Sequence, residues 1–305
     1  MQQDWIARAQ QLAEPVSFGL PWGEVRGLRW GDPNAQPVLC LHGWLDNAHS
    51  FLPLAGAFCE RPQQQLQLLA LDWAGHGDSD HRPAGNHYYF LDYVYDLWHI
   101  CQQQQWQPLI CAHSMGAFAA NLLAGIAPDL VRGLYSIEAF GLLLATPEQS
   151  VGDLREGFAS RFDTQAKLQS EQAQRFYSSF EQGVTARAGA GDFSRDIATL
   201  LVQRGMRQVA EQQWQFKADL AARTKSAVRM TAPQVANVLR EIVCPMRLLR
   251  GATGYQSVLQ QLDEWASCVP QLEIVEHAGG HHVHMEAGAW LWKDFVDFVK
   301  RHELI

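Results

Sequence analysis

The stretch from Pro108 to Ala124, Pro-Leu-Ile-Cys-Ala-His-Ser-Met-Gly-Ala-Phe-Ala-Ala-Asn-Leu-Leu-Ala, constrains the fold of this chain more than any other. A short apolar strand, Leu109 to Cys111, enters a turn at Ser114, and an Ala- and Leu-rich helix leaves it. Ala112 and Gly116 flank the serine, each two residues away. So sharp a strand-to-helix bend admits only small side chains at those positions, and it raises the serine hydroxyl above the sheet edge. There the free N–H groups and the dipole of the helix N-terminus favour developing negative charge. The pattern reads small-x-Ser-x-Gly, with Ala112 in place of a first glycine. Alone it is a weak signature, so the rest of the chain must carry the argument.

Apolar runs of strand length alternate with helical patterns along the chain. Glu24 to Trp30, Pro37 to Leu41, Leu66 to Leu71, Val131 to Ile137, Met246 to Arg250 and Leu272 to Val275 read as strands. The continuous apolar character of Pro37 to Leu41 suits a parallel strand covered on both faces. The first twelve residues, Phe51 to Cys59 and Gly288 to His302 read as helices. So does Phe90 to Gln104, with apolar residues at 90, 94, 97, 98 and 101, near a 3.6-residue period. This alternation predicts an α/β fold: a mostly parallel central sheet flanked by helices.

Residues 143–240 break the rhythm. They show no convincing strand and five helical stretches: Val151 to Arg161, Thr164 to Gln182, Arg195 to Arg204, Val209 to Ala222 and Ala232 to Arg240, with a Gly/Ala-rich joint at Gly183 to Gly191. We read a core formed by residues 1–142 and 241–305, with 143–240 inserted as a helical lid over the edge where ligands bind.

With 305 residues, 47% of them apolar, the chain can bury one large core. Its net charge of −8 is spread out, and no Lys/Arg cluster points to nucleic acid or an anionic membrane. No apolar run approaches the roughly 20 residues of a membrane span, and no signal-peptide pattern opens the chain. Cys40, Cys59, Cys101, Cys111, Cys244 and Cys268 show no close pairing and read as reduced core cysteines of a cytoplasmic protein. The expected partner is a small-molecule substrate bound by a monomer or homodimer.

A serine hydroxyl needs a base within about 2.6–3.2 Å, and the base needs an orienting carboxylate. The base is expected from Glu276-His-Ala-Gly-Gly-His-His-Val-His-Met-Glu286, where His281 follows a flexible Gly-Gly turn. His282 is the alternative, and His284 is expected to pack beneath the loop. The four histidines lack an accompanying Cys or carboxylate at metal-site spacing, so neither a metal nor a cofactor is expected. Glu138, closing the Val131–Ile137 strand, is the candidate acid; otherwise it pairs with the lid and the pair Ser114–His281 works alone. The backbone N–H groups of Met115 and Trp44 are the candidate oxyanion donors. Trp44, Trp73 and Phe140 are expected to line an apolar pocket. Asp72, His76 and His113 read as loop fasteners.

Taken together, Leu41-His-Gly-Trp, Asp72-Trp-Ala-Gly-His-Gly-Asp-Ser, Ala112-His-Ser-Met-Gly and Gly280-His-His-Val-His-Met-Glu resemble the α/β-hydrolase superfamily, in order and in spacing. Leu41-His-Gly-Trp-Leu-Asp-Asn-Ala-His-Ser-Phe and His87-Tyr-Tyr-Phe-Leu-Asp-Tyr-Val resemble its serine-hydrolase-like branch. The resemblance implies Ser114 as nucleophile, His281 as base, an acid at Glu138 and an inserted cap. The chain departs from the wider family where the loop Gly251-Ala-Thr-Gly-Tyr-Gln-Ser257 holds no carboxylate. The resemblance reaches only the reaction class; within it, the leading reading is hydrolysis of a small carboxylic ester through an acyl-enzyme. C–C or amide hydrolysis by the same residues, and a non-catalytic ligand-binding homologue, are the rival readings.

Overall fold

The computed structural model describes residues 2–169 and 176–305. The first part of the chain forms α1 (Gln2–Leu12), β1 (Glu14–Leu20), β2 (Gly23–Trp30), β3 (Gln36–Leu41), α2 (Leu52–Glu60), β4 (Leu66–Leu71), α3 (Phe90–Gln104), β5 (Leu109–His113), α4 (Met115–Ile126) and β6 (Gly133–Ile137). A long intervening part holds α5 (Ser150–Leu168), α6 (Phe180–Ala188), α7 (Arg195–Gly205), β7 (Met206–Ala210), β8 (Gln213–Phe216) and α8 (Ala232–Arg240). The chain closes with β9 (Met246–Gly251), α9 (Gln256–Trp265), β10 (Leu272–His277), α10 (Val283–Glu286) and α11 (Gly288–Arg301).

Eight strands form one sheet in the order β1-β2-β4-β3-β5-β6-β9-β10. From β4 to β10 every pairing is parallel, whereas β1 and β2 form an antiparallel hairpin that joins β4 antiparallel. The strand β1 was not expected. Its polar, largely exposed sequence, Glu-Pro-Val-Ser-Phe-Gly-Leu, is that of an edge strand with one weakly covered face. The parallel strands β3, β4, β5 and β6 are buried almost throughout, as continuous apolar runs require.

Helices cover both faces. On one, α3, α4, α8 and α9 pack Leu97, Leu122, Val235 and Leu262 against Leu39, Leu71 and Ile110. On the other, α1, α2 and α11 pack Ala9, Leu54, Leu291 and Phe295 against Val38, Leu68 and Cys111. Each such large side chain taken from water contributes about 1.5–3 kcal/mol. The register sets Leu41, Leu71, His113, Ile137, Gly251 and His277 along one carboxyl edge.

The intervening segment joins the neighbouring strands β6 and β9 and has its own small core of Tyr177, Val184, Phe193, Ile197, Leu201, Val202 and Met206. Three expectations for it are corrected. The stretch Val209 to Ala222 is not one helix: β7 and β8 form a hairpin, with a bulge between Gln208 and Ala210 and a positive φ at Gln212, and a short 3₁₀ turn over Leu220–Arg223 follows. Its Gln-rich sequence has weak strand propensity, and the hairpin is held instead by edge-to-face rings, Tyr177 on Phe216 and Phe180 on Trp214. The Gly183 to Gly191 joint is also mostly helical, and Gly183 packs where a side chain would strike Met206. The expected helix Thr164 to Gln182 is split between α5 and α6, and residues 170–175 of it lie outside the described residues. The helix α8, counted with the insertion in the sequence, packs on α4: a Cβ at Gly125 would lie 2.4 Å from the carbonyl oxygen of Val238. Among the described residues, no helix is long and apolar enough to cross a membrane.

Candidate active site

Two non-glycine residues with positive φ stand at neighbouring strand ends: Ser114 (φ 51°) after β5 and Glu138 (φ 53°) after β6. Such conformations cost on the order of 1–3 kcal/mol and persist only where the surroundings enforce them. At Ser114 the enforcement is visible. Its amide donates to the Ile137 carbonyl at 3.0 Å, and its carbonyl accepts from Phe118 at 3.1 Å. A Cβ at Gly116 would come within 2.4 Å of the Leu41 carbonyl oxygen, so only glycine lets α4 start so close to β3.

His281, from the turn before α10, stands over the serine. Its Nε2 lies 2.9 Å from Ser114 Oγ, and its Nδ1 lies 3.3 Å from Glu138 Oε2. Glu138 Oε1 accepts the Gly251 N–H at 2.6 Å, and Oε2 accepts the Tyr255 N–H at 3.1 Å. The carboxylate therefore occupies the mouth of the β9 loop that carries no acid of its own. With Nδ1–H directed at Glu138, the Nε2 lone pair faces the serine hydroxyl. The Tyr255 ring stacks on His281 with centroids 3.9 Å apart and planes 16° apart. Below, His113 Nε2 donates to the His281 carbonyl at 2.8 Å. From the insertion, Asp192 accepts the His281 backbone N–H and also bonds His282 Nδ1.

Met115 opens α4, so its N–H has no acceptor within the helix. The loop carrying Trp44 passes beside the serine: a Cβ at Gly43 would lie 3.3 Å from Ser114 Cβ. The Trp44 indole is 51% exposed and donates to the Ala222 carbonyl in the insertion at 2.9 Å. Trp73 and Phe140, expected to line an apolar pocket, lie buried among the described residues. Trp73 is 3% exposed and ties the β3 loop by donating to the His42 carbonyl at 2.8 Å, and Phe140 is 0% exposed within the core.

Asp72 fastens loops, accepting the amides of Ala48 and Asp78 and the guanidinium of Arg204. Burial pushes its pKa upward, but Arg204, together with His42 and the Asp78 amide, more than offsets this and holds it below the usual carboxylate range. His76 is buried with its Nδ1 3.0 Å from the Ala74 carbonyl, and burial lowers it to about 3. His284 packs between Phe51 and His113, and burial lowers it also to about 3.

Several groups around the site gave no periodic signal in the sequence. Asp46 bonds Arg187 and faces His282, whose other nitrogen is held by Asp192. Burial opposes the charge on His282, yet these two carboxylates raise its pKa. Burial likewise opposes the Asp46 carboxylate, but His282 and Arg187 hold its pKa well below the ordinary value. Tyr255, Asp192 and Asp46 could have been sought only as neighbours of the expected loops. A cleft of about 690 Å³ opens beside the site between the β3 loop and the insertion. Leu45, Asp46, Tyr177, Arg187, Leu201 and Phe216 are among its walls, whereas Ser114 and His281 are not.

A family model described as the alpha/beta hydrolase fold matches residues 36–288. The chain belongs to the α/β-hydrolase family. Its relatives place this hydrolase in the serine-hydrolase-like branch. It is 28% identical over 300 residues to the serine hydrolase-like protein of Danio rerio, covering 95% of this chain and 90% of that one. It is 26% identical over 294 residues to human serine hydrolase-like protein 2, covering 91% of each. The crystal structure of a hypothetical protein from Pseudomonas aeruginosa superposes with a TM-score of 0.84 at 32% identity, covering 94% of this chain and 99% of that one.

Proposed function

We propose that this α/β hydrolase cleaves a small carboxylic ester through an acyl-enzyme, with Ser114 as nucleophile, His281 as base and Glu138 as the orienting acid. The observation that carries the reading is the single imidazole that touches both partners, Ser114 Oγ at 2.9 Å and Glu138 at 3.3 Å. Ser114 Oγ attacks the ester carbonyl while His281 Nε2 takes its proton. The positive charge forming on the ring is stabilised by Glu138, whose carboxylate is fixed by two backbone amides. Met115 and Trp44 N–H groups hold the oxyanion, each donor worth on the order of 3 kcal/mol of barrier. His281 returns the proton to the leaving alkoxide, then draws one from the water that releases the acyl group.

The insertion serves as the lid in this reading, with α8 returned to the core. Its support is that the insertion supplies Asp192 to the His281 loop and Ala222 to Trp44. The neighbouring cleft suits a small substrate, since ligand pockets typically run to about 300–1,000 Å³. We assign the protein to the cytoplasm, a reading supported by six free cysteines, five of them buried.

The test is labelling with a fluorophosphonate probe. Wild type is expected to label, with labelling abolished in Ser114→Ala and strongly slowed in His281→Ala. Labelling that survives Ser114→Ala would remove the hydrolytic reading of this site.

A further inference from the structure

Next to the proposed catalytic groups lies a second cluster that the ester chemistry does not use. Asp46 comes from the loop after β3, His113 from the end of β5 and His282 from the turn before α10. One ligand atom from each lies within 4.8 Å of the others among the described residues. His282 Nε2 is 3.6 Å, and His113 Nδ1 3.9 Å, from the same oxygen, Asp46 Oδ2. Four donors held tetrahedrally at about 2.0–2.1 Å from Zn²⁺ lie about 3.3–3.4 Å from one another, so small side-chain rotations close the gap.

The surroundings turn one nitrogen of each imidazole into the cluster. His113 donates from Nε2 to the His281 carbonyl, which leaves Nδ1 as the acceptor. That Nδ1 is buried and has no hydrogen-bond partner among the described residues, although a buried polar atom left unpaired is costly. Asp192 engages His282 Nδ1, which leaves Nε2 facing Asp46. Arg187 engages Asp46 Oδ1, which leaves Oδ2 facing the rings. Carboxylates and carbonyls that fix the outer nitrogens of histidines are the usual second layer of a metal site.

We infer that Asp46, His113 and His282 bind a borderline divalent transition ion of the Zn²⁺ type, and that its binding inhibits turnover. Two imidazoles and one carboxylate suit such an ion better than Mg²⁺ or Ca²⁺, which prefer all-oxygen shells. The Arg187 guanidinium on the same carboxylate opposes a second cation, which makes this a reversible site rather than a structural one. Access is from the cleft, one wall of which is Asp46. His113 and His282 are the chain neighbours of Ser114 and His281, and the His113 and His282 rings lie 4.7 and 5.2 Å from the His281 ring. Drawing the His113 and His282 rings onto an ion disturbs the bonds by which His113 and Asp192 hold the His281 backbone, so the 2.9 Å approach of His281 Nε2 to Ser114 Oγ is lost and kcat falls. The inhibition rests on the hydrolase reading above, whereas the binding does not.

The test separates the two. Purified full-length protein is stripped with EDTA and titrated with ZnCl₂ by calorimetry and with CoCl₂ by its visible absorption. One-to-one binding with a tetrahedral-type Co²⁺ spectrum is expected for wild type and for His281→Ala. His282→Gln is expected to lose it, and Asp192→Asn to weaken it roughly 10–100-fold. With a p-nitrophenyl ester, Zn²⁺ is expected to inhibit wild type at least tenfold, reversibly with EDTA, and to leave His282→Gln largely uninhibited. Binding that persists in His282→Gln but vanishes in His281→Ala would place the ion on the catalytic imidazole and overturn the inference. Absence of binding would overturn it as well. Binding without inhibition would overturn only its functional half.

Discussion

Gly254 lacks a side chain where Glu138 needs the space: a Cβ there would lie 2.2 Å from both carboxylate oxygens. The β9 loop thus provides the room and the amides, and β6 provides the acid. Gly254→Ala is expected to displace the carboxylate and lower kcat for a p-nitrophenyl ester by at least tenfold, with KM little changed. Overpacking should also cost about 1–3 kcal/mol in urea unfolding. Unchanged kcat would show that the carboxylate position does not matter to turnover.

Glu138→Gln keeps the volume but turns one acceptor into a donor. Both oxygens already accept backbone amides, so the new NH₂ must face Gly251, or Tyr255 and His281. Turnover is expected to fall by a large factor, up to the ~10⁴ seen when a triad acid is replaced by its amide. Steady-state kinetics on folded, thermally characterised protein would check it; undiminished turnover would leave Ser114 and His281 working without this acid.

His284 has no hydrogen-bond partner for either ring nitrogen among the described residues, and burial lowers its pKa to about 3. Because the folded pKa lies below the unfolded value of about 6.5, the unfolded chain takes up the proton first on acidification. The associated stability is present above about pH 6.5 and is lost as pH falls toward the folded pKa. His284→Leu removes that loss. Relative to wild type, the variant should gain about 2–3 kcal/mol between about pH 7.5 and about pH 4.5. Urea midpoints at the two pH values would read it, and parallel curves would exclude it.

Arg204 on α7 binds Asp72 after β4, with Nε at 2.8 Å, in a site where the aspartate is 0% and the arginine 8% exposed. Arg204→Met leaves a buried carboxylate without its cation and should destabilise the protein by about 3–5 kcal/mol. The neighbouring Lys217, more exposed and paired with Asp78, should cost no more than about 1 kcal/mol when changed to Met. Equal losses would mean that burial does not govern these pairs.

Local patterns made much of the architecture readable. Continuous apolar runs such as Pro37 to Leu41 stand out because a strand covered on both faces has no polar face to show. The 3.6-residue period of α3 likewise reports one buried stripe. The edge strand β1 and the hairpin β7–β8 lacked such patterns, since each buries little and depends on a partner: β2 for one, the rings of Tyr177 and Phe180 for the other. Trp73 and Phe140 were misplaced for a related reason. An aromatic at a strand end reads alike whether it faces a ligand or the core.

The amino-acid order alone determined the sheet-forming runs, the bend at Ser114 and the supply of His281 and Glu138 at strand ends, because these follow from contacts between near neighbours in the chain. Only the folded molecule decided that Glu138 reaches across to the β9 loop. Only it could bring Asp46, His113 and His282 around one small space. Their separations along the chain carry no repeating period, and it is the parallel register of β3, β5 and β10, with the turns that follow them, that brings these groups within a few ångströms of each other.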